Sequence, residues 1–248
     1  MTNILRAENI NMSFDGRQIL KSVSLSLEKG EIISLVGVSG SGKTTLFNIL
    51  SGIYKPDTGK VYLKDEDITG VPGHVSYMLQ KDLLFPYRKV IDNVCLPLLV
   101  RGMKKKDARS KADPLFETFG LSGYQMKYPD QMSGGMRQRA ALLRTYLASD
   151  GVALLDEPFS ALDTITKGQI HKWYLDIMQK IELSTIFITH DIDEAILLSD
   201  RVCILAGAPG TIVEEIPVDA PKPRKSDFNL TEDFLKVKRK IVETLALI

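Results

Sequence analysis

The chain has 248 residues, of which 44% are hydrophobic and 25% charged, a composition typical of one large globular α/β domain or a core domain with a subdomain. The formal net charge of +1 argues against a nucleic-acid partner held by a broad basic surface. No stretch approaches the roughly 20 apolar residues that span a bilayer, and the first residues lack a signal-peptide pattern.

We therefore expect a protein of the cytosol, connected to a membrane only through a protein partner. The cysteines Cys95 and Cys203 both lie in apolar stretches. Their positions predict small buried side chains in a reducing compartment, without metal binding.

Strand and helix patterns alternate along most of the chain. Val23, Leu25 and Leu27 are separated by serines, which predicts a strand with one exposed face. Apolar runs typical of buried strands lie at residues 32–36, 152–155, 185–189 and 202–205. Helical patterns lie between them, at residues 43–51 and 162–181. This order predicts a mainly parallel sheet with helices on its faces.

Two segments differ from this pattern. Residues 82–131 contain several prolines and few strand-like runs, which predicts a helical subdomain inserted into the core. The lysine run at 104–106 predicts a solvent-exposed helix start, with a binding patch as the less favoured alternative. Near the C-terminus, Asn229 and Glu232 have the spacing of an N-cap with a reciprocal glutamate. A final helix is predicted to pack on the core through Phe234, Val237, Lys238, Ile241 and Leu245.

The segment Gly37-Val38-Ser39-Gly40-Ser41-Gly42-Lys43-Thr44 fits the pattern G-x-x-x-x-G-K-[ST], between a predicted strand and a predicted helix. Its glycines let the backbone wrap around phosphates, so that N–H groups and a helix N-terminus point at negative charge. Lys43 is predicted to neutralise the β- and γ-phosphates, Thr44 to bind magnesium and Thr45 to reach the α-phosphate. The segment therefore predicts a triphosphate site.

Two acidic residues end the predicted strand at 152–155. A carboxylate at Asp156 is costly unless it meets a cation, which predicts that it holds magnesium. Glu157 projects differently, toward the position of an attacking water, and is predicted to be the general base. The alternative is that Glu157 only caps a turn before Pro158.

His190 directly follows the predicted strand at 185–189, at the end where ligand sites gather in open α/β sheets. Beside two other strand ends that carry phosphate chemistry, it is predicted to sense the γ-phosphate. His74 and His171 have no such position.

With these motifs the sequence resembles the ATP-binding-cassette (ABC) ATPases from about residue 4 to residue 215. The family's elements occur in order: Phe14, where an aromatic ring stacks on adenine, the phosphate loop at 37–45, Gln80 of the glutamine loop, the signature Met132-Ser133-Gly134-Gly135-Met136, the pair Asp156-Glu157, the loop Ser160-Ala161-Leu162-Asp163, and His190.

The resemblance implies a P-loop NTPase core with an N-terminal antiparallel β-subdomain and an inserted helical subdomain. The whole chain, 1–248, would be one ABC ATPase domain. Residues 1–81 and 132–220 would form the nucleotide-binding core with its β-subdomain, 82–131 the helical subdomain, and 221–248 a C-terminal helical extension.

The resemblance also implies a head-to-tail homodimer that forms on ATP binding, with each ATP between one subunit's phosphate loop and the other's signature. A helix predicted near Met136 would let the signature amides face a γ-phosphate. The implied ATP-binding residues are Phe14, Gly37, Ser39, Gly40, Ser41, Gly42, Lys43, Thr44, Thr45, Ser133, Gly134 and Gly135. The implied catalytic residues are Glu157, His190, Gln80 and Lys43, and Mg2+ would be held by Thr44, Gln80 and Asp156. The implied dimer interface contains Ser133, Gly135, Ser160, Ala161, Leu162 and Asp163.

Further implied partners are a membrane permease, docking between Gln80 and Leu99 with Phe85, Pro86 and Tyr87 in the groove, and indirectly an extracytoplasmic solute-binding protein. The chain would then be peripheral, on the cytoplasmic face of the membrane.

The signature form Ser-Gly-Gly-Met-Arg-Gln-Arg resembles the importer subgroup for nitrate, taurine, sulfonates and thiamine precursors. The segments at 84–87, 92–94 and 208–210 point to the same subgroup. Departures from the family are mild: Met132 and Met136 replace leucine and glutamine, and Phe14 replaces tyrosine. Pro114 lies where relatives have an unbroken helix, which predicts a break or a new helix start.

Three alternatives to an importer subunit remain. A soluble ABC ATPase of DNA maintenance would carry a long coiled coil between phosphate loop and signature, where this chain has no sustained heptads. An assembly ATPase, for example for iron–sulfur clusters, would act without a membrane partner. An exporter is disfavoured because no membrane segment is fused to the chain.

Overall fold

A six-stranded sheet and a four-stranded sheet form the frame of the protein. The computed structural model describes residues 3–160, 164–220, 224 and 227–247, without the side chains of 164–166 and 179. Its strands are β1 (Asn3–Phe14), β2 (Arg17–Glu28), β3 (Ile32–Val36), β4 (Thr58–Leu63), β5 (Glu66–Asp67), β6 (Ser76–Met78), β7 (Val152–Asp156), β8 (Ser184–Ile188), β9 (Arg201–Ala206) and β10 (Thr211–Pro217). Its helices are α1 (Lys43–Leu50), α2 (Val90–Val94), α3 (Leu96–Val100), α4 (Lys105–Thr118), α5 (Gly134–Ala148), α6 (Thr164–Ile181), α7 (Ile192–Leu198) and α8 (Glu232–Ala246). Short 3-10 turns lie at Pro129–Gln131 and Phe228–Leu230.

The large sheet has the order β10-β9-β3-β8-β7-β6 and is parallel apart from β10. Every residue of β3 and β8 is buried, as expected for strands covered on both faces. The prediction of a mainly parallel sheet with helices is confirmed. Because β3, β8 and β7 are neighbouring parallel strands, the segments that follow them meet at one edge of the sheet.

The small sheet is antiparallel, with the order β2-β1-β4-β5. Val23, Leu25 and Leu27 of β2 face a core that also contains Leu46 and Phe47 of α1, while the intervening serines are exposed or half-buried. The predicted one-sided strand is confirmed. This packing joins the small sheet to the helix that follows the phosphate loop.

Helices α2, α3 and α4 lie within residues 82–131 and share a core with α5 and α6. The lysine run behaves as predicted, since Lys104 precedes the first turn of α4 and its side chain is exposed. The predicted break at Pro114 is wrong, because α4 continues through it to Thr118. Pro114 and Ser110 are both exposed, so water can satisfy the Ser110 carbonyl that the missing N–H leaves free.

Helix α8 packs as predicted, with Phe234 and Ile241 buried and Val237 and Leu245 against the same cluster. The predicted cap is wrong, because Thr231 rather than Asn229 precedes the helix and accepts a hydrogen bond from Phe234 N at 3.3 Å. Residues 228–230 form a 3-10 turn first, which moves the helix start toward the C-terminus.

Both cysteines are buried free thiols, as predicted. Burial raises the pKa of Cys95 to about 11 and that of Cys203 further above its usual range. Within the described ranges, no helix is both long and apolar enough to cross a bilayer.

Candidate functional site

The candidate site lies where β3, β8, β7 and β6 end, side by side in that order. The phosphate loop follows β3, His190 follows β8, Glu157 follows β7 and Gln80 follows β6. These four segments are far apart in sequence and are brought together by parallel strand pairing. The arrangement is the one expected for a ligand site in an open α/β sheet.

The phosphate loop is held tightly against the sheet. Gly42 caps α1 in a left-handed conformation, with φ of 95°, which favours glycine. At Gly37 an added Cβ would lie 2.0 Å from the Leu205 carbonyl oxygen, so a larger residue cannot fit. Lys43 Nζ donates to the carbonyls of Gly37 and Val38, each at 2.9 Å. Thus the loop folds around the Lys43 ammonium group, which is held by two carbonyls of the same loop.

The remaining predicted loop residues lie in the same turn. Ser39, Gly40 and Thr44 are exposed, Thr45 is half-buried in the first turn of α1, and Ser41 is buried. The hydroxyl Oγ of Ser41 is buried and has no hydrogen-bond partner among the residues that the structure describes. Burial lowers the pKa of Lys43, although the carboxylates of Glu157 and Asp156 act in the opposite direction.

Asp156 is the last residue of β7 and is half-buried. Burial raises its pKa, and the Tyr77 hydroxyl, which donates to Oδ2 at 3.3 Å, opposes that shift. Burial and the Asp156 carboxylate raise the pKa of Tyr77. Tyr77 is not among the residues predicted from the sequence. Its only sequence signal is a tyrosine in the short apolar run before Gln80.

The Glu157 side chain contacts two other residues that were predicted for the site. Its Oε2 accepts a hydrogen bond from Gln80 Nε2 at 2.8 Å, and its Oε1 lies 3.3 Å from His190 Nδ1. Its backbone has φ of 45°, in the left-handed region that residues other than glycine rarely adopt. The Glu157 carbonyl accepts from Ser160 N and Oγ, so the backbone does cap a turn. The carboxylate is separate from that turn and faces Gln80 and His190.

The signature residues lie at the start of α5. Ser133 is the N-cap and its Oγ accepts from Met136 N at 3.3 Å. The helix begins at Gly134, two residues before the predicted position, so the N–H groups of Gly134 and Gly135 belong to its first turn and have no acceptor within the helix. Among hydrogen bonds and ion pairs of the described residues, none joins these three residues to the phosphate loop.

Helix α5 is instead attached to the segment that follows Gln80. Arg137 Nε lies 3.1 Å from Asp82 Oδ2, and Arg144 donates to the backbone carbonyls of Asp82 and Leu83. Ser160 Oγ lies 3.3 Å from Gln80 Nε2. The other residues predicted in the loop after Glu157, Ala161, Leu162 and Asp163, lie outside the described residues.

Two exposed aromatic groups lie apart from this centre. Phe14 ends β1 with 40% of its surface exposed and makes an edge contact with Tyr54, at 5.6 Å between ring centroids. Phe85 and Tyr87 are exposed beside one another, with centroids 5.7 Å apart, and Tyr87 is 73% exposed. The buried Asn93 side chain accepts from Phe85 N at 2.7 Å and fixes this turn.

The donor set suits a hard cation that also binds phosphate. In the described part of the chain, no group of three or more His, Cys, Asp or Glu side chains could hold a metal. Thr44 and Asp156 supply hydroxyl and carboxylate oxygens, and Mg2+ is commonly held by one or two such ligands together with substrate phosphates. Half-buried Asp156 with its raised pKa is the group that a cation would satisfy.

The chain is similar to known proteins along nearly its whole length. The model of the ABC transporter family matches residues 20–160. The formylaminopyrimidine import ATP-binding protein ThiZ of Halalkalibacterium halodurans is 36% identical, over 96% of this chain and 94% of that protein. The taurine import ATP-binding protein TauB of Pseudomonas aeruginosa is 38% identical, over 87% of this chain and 83% of that protein.

A solved structure has the same overall fold. The dimeric cassette MJ0796, a bacterial ABC transporter cassette, is 27% identical and aligns with a TM-score of 0.72 over 88% of this chain and 100% of that one. Another structure of MJ0796 is a dimer in a post-hydrolysis state with ADP and Pi. By its family match over more than half of its length and by these relatives, the chain belongs to the ABC transporter family and is an ATP-binding ATPase of that family.

Proposed function

We propose that this ATPase is the energy-supplying subunit of an importer, acting as a head-to-tail homodimer on a separate membrane permease. The catalytic role in this proposal rests on one observation, the contact of both Gln80 and His190 with the Glu157 carboxylate. This contact lies at the carboxyl ends of the parallel strands, where Lys43 also lies. Gln80, His190 and Glu157, which are proposed to act on the γ-phosphate or on the attacking water, are thus in direct contact with one another through the Glu157 carboxylate.

In this proposal Glu157 is the general base. Its carboxylate lies at the end of β7 and can accept the proton of an attacking water as the water approaches the γ-phosphate. His190 is held 3.3 Å from Glu157 Oε1, where it can contact a γ-phosphate oxygen. Gln80 orients the carboxylate through its 2.8 Å hydrogen bond. Lys43 and the phosphate-loop amides bind the β- and γ-phosphates.

Thr44, Asp156 and Gln80 would hold Mg2+, whose charge would neutralise the phosphate oxygens when it is bound. The hydrogen bond from Tyr77 fixes Oδ2 of Asp156 and leaves the other carboxylate oxygen for this task. Tyr77 therefore acts as an orienting partner of a proposed metal ligand.

The proposed dimer places Ser133, Gly134 and Gly135 of one subunit against the ATP of the other. Three features support it: the first amides of α5 have no acceptor within the helix, no hydrogen bond among the described residues joins these three residues to their own phosphate loop, and the cassette MJ0796 is dimeric. Ser160, and the neighbouring residues 161–163, would complete the interface.

The permease would dock between Gln80 and Leu99. The exposed Phe85 and Tyr87 form an apolar pair fixed by Asn93 on the helical segment, and such a pair suits a hydrophobic partner. Helix α5 binds the same segment through Arg137 and Arg144, so movement there can reach the signature. The names of ThiZ and TauB, which are import ATP-binding proteins, support import. In this proposal the chain lies peripherally on the cytoplasmic face of the membrane, and an extracytoplasmic solute-binding protein delivers the solute to the permease.

The partner is tested by isolating membranes from cells that express the tagged chain with its native neighbouring genes. We expect co-purification of a permease, and loss of it with Tyr87→Asp but not with Tyr128→Asp, which also places a charge at an exposed tyrosine of the helical segment. ATP binding should be unchanged in both variants. Full activity in the soluble fraction without any membrane protein would favour the alternative, an assembly or DNA-maintenance ATPase.

Phe14→Ala should weaken ATP binding while leaving the fold intact, because Phe14 is exposed at the end of β1 and would stack on the adenine ring. Loss of one aromatic stack costs about 1–3 kcal/mol of binding. Calorimetry measures the affinity, and Phe14→Trp is the control that should retain it. Wild-type affinity in the alanine variant would place the adenine elsewhere.

Tyr77→Phe should lower the affinity for a divalent cation about tenfold or more, as expected when an orienting partner of a metal ligand is lost. The substitution removes only the hydroxyl that reaches Asp156. Electron paramagnetic resonance of Mn2+ in the presence of ADP measures binding directly. Tyr128→Phe serves as the matched control, and equal Mn2+ affinity in both variants would contradict the orienting role of Tyr77.

A further inference from the structure

A charged cluster joins α6 to α7 outside the proposed ATP site. Lys167 Nζ donates to Asp191 Oδ2 at 3.1 Å and lies 3.6 Å from Glu194 Oε2. His171 Nε2 lies 3.2 Å from the same Glu194 oxygen. Two residues of α6 therefore meet two acidic residues at the start of α7. No step of the ATPase chemistry described above uses this cluster.

The cluster is partly buried, and most deeply at Glu194, while the Asp191 side chain is 35% exposed. The Glu194 side chain is 2% exposed and that of Lys167 is 20% exposed. Burial alone would lower the pKa of Lys167, but the hydrogen bond to Asp191 and the Glu194 carboxylate raise it above its usual value. Lys167 therefore stays charged. A buried carboxylate without a cation is strongly unfavourable, so the charge of Lys167 stabilises Glu194 and, through their hydrogen bond, holds Asp191 beside it.

Asp191 connects this cluster to His190, which immediately precedes it in the chain. Asp191 Oδ1 accepts from Glu194 N at 3.1 Å and so caps α7, while Asp191 N donates to the buried Thr189 Oγ1 at 3.0 Å. The backbone is thus fixed on both sides of His190. The second carboxylate oxygen of Asp191 faces α6, where Lys167 binds it.

The other end of the cluster leads back to Glu157. The His171 ring makes an edge contact with Phe159, at 5.0 Å between centroids, and Phe159 lies two residues after Glu157. Contacts therefore form a closed ring, from Glu157 through Phe159, α6 and Asp191 to His190, which itself lies 3.3 Å from Glu157. Helix α6 contributes both Lys167 and His171 to this ring.

We propose that Lys167 is a positioning residue for ATP hydrolysis, which keeps His190 at its working distance from Glu157 by binding Asp191 and Glu194. The inference rests on the proposed function of His190 as the γ-phosphate sensor. Loss of the lysine charge would free the Asp191 carboxylate and leave Glu194 without its cation. The backbone carrying His190 would then move relative to the Glu157 carboxylate.

The test compares Lys167→Met, which keeps the length of the side chain but not its charge, with Lys167→Arg, which keeps the charge. We expect Lys167→Met to lower kcat by up to about a hundredfold, since a displacement near 1 Å has that effect on a reacting geometry. Calorimetric ATP affinity should stay within about twofold, because the phosphate loop is untouched. Lys167→Arg should recover most of the wild-type kcat, and circular dichroism checks that all variants are folded.

A double-mutant cycle with His190→Ala separates positioning from a merely structural effect. If Lys167 acts through His190, Lys167→Met should produce no further loss of single-turnover rate in the His190→Ala background. Equal losses in both backgrounds would overturn the inference, as would wild-type kcat in Lys167→Met while His190→Ala is impaired. Wild-type kcat in His190→Ala would instead overturn the sensor role of His190, and with it the basis of the inference.

If Lys167→Met does not fold, Asp191→Asn gives the same answer. Asparagine is also an effective N-cap, so the bond from Glu194 N is kept while the charge facing Lys167 is removed. We expect a lower kcat with unchanged ATP affinity and no additional loss in the His190→Ala background. Wild-type kcat in Asp191→Asn would overturn the inference.

Discussion

Glu157→Gln should bind ATP almost as the wild type does and hydrolyse it about 10²–10⁴-fold more slowly, the usual contribution of a general base. Glutamine is nearly isosteric with glutamate. Its side-chain oxygen can still accept the hydrogen bond that Gln80 donates to Glu157 Oε2 in the wild type, at 2.8 Å. It cannot take a proton from the attacking water. The loss should therefore fall on kcat rather than on nucleotide affinity, as single-turnover kinetics and calorimetry can measure.

The same variant should accumulate as an ATP-bound dimer on gel filtration, because hydrolysis no longer separates the subunits. Glu117→Gln is a matched control, since it removes an exposed carboxylate on α4. It should retain the wild-type turnover and show the same distribution between monomer and dimer on gel filtration as the wild type. Substantial residual turnover in Glu157→Gln would remove Glu157 from the role of base.

The centre of the site was predictable because its residues follow apolar strands in a parallel sheet. Parallel strands end at the same edge, so the positions of Lys43, Glu157 and His190 after β3, β7 and β8 are enough to imply their proximity. The contact of His190 with Glu157 at 3.3 Å agrees with that expectation. Local sequence and one rule of sheet architecture were sufficient here.

The residues that support this centre, Tyr77 and Lys167, were not predictable, because their contacts depend on non-local strand register and on helix packing. Tyr77 reaches Asp156 only because β6 pairs with β7 so that Tyr77 lies opposite Leu154. Lys167 reaches Asp191 only because α6 packs beside the start of α7. Tyr77 and Asp156 are 79 residues apart in sequence, and Lys167 and Asp191 are 24 residues apart. The sequence around these residues has no periodic pattern that would indicate either contact.

The two wrong predictions have a common cause, which is local reasoning without knowledge of burial. A proline disturbs a helix less where the carbonyl that loses its hydrogen bond can bind water, and the exposed Ser110 carbonyl can do so. Asn229 was a reasonable N-cap by spacing, but Phe228 and Phe234 pack edge to face at 5.6 Å. That contact favours a turn before the helix and leaves Thr231 as its cap.

Ser133→Arg should abolish ATP-driven dimerisation and efficient hydrolysis while leaving binding of a single ATP intact. The substitution places bulk and charge at the start of α5, where a γ-phosphate of the other subunit is proposed to dock. It also removes the cap that accepts from Met136 N, which costs about 1 kcal/mol of stability. Thermal unfolding therefore has to show that the variant is folded before its ATPase rate is compared. Full activity of Ser133→Arg alone would contradict a shared site.

Mixing Ser133→Arg with Lys43→Ala subunits decides whether each ATP site is built from two chains. Lys43→Ala alone should lose about 1.5–3 kcal/mol of nucleotide binding, because the triphosphate loses a charge-assisted contact. In a head-to-tail heterodimer both lesions fall in one site, and the other site keeps an intact phosphate loop and an intact signature. Random pairing then restores at most about a quarter of the wild-type rate, since half of the pairs are mixed and each has one intact site. Provided that one intact site can hydrolyse ATP alone, a mixture whose rate only equals the sum of the two homomers would count against shared sites, because a site built from one chain would carry a lesion in every subunit.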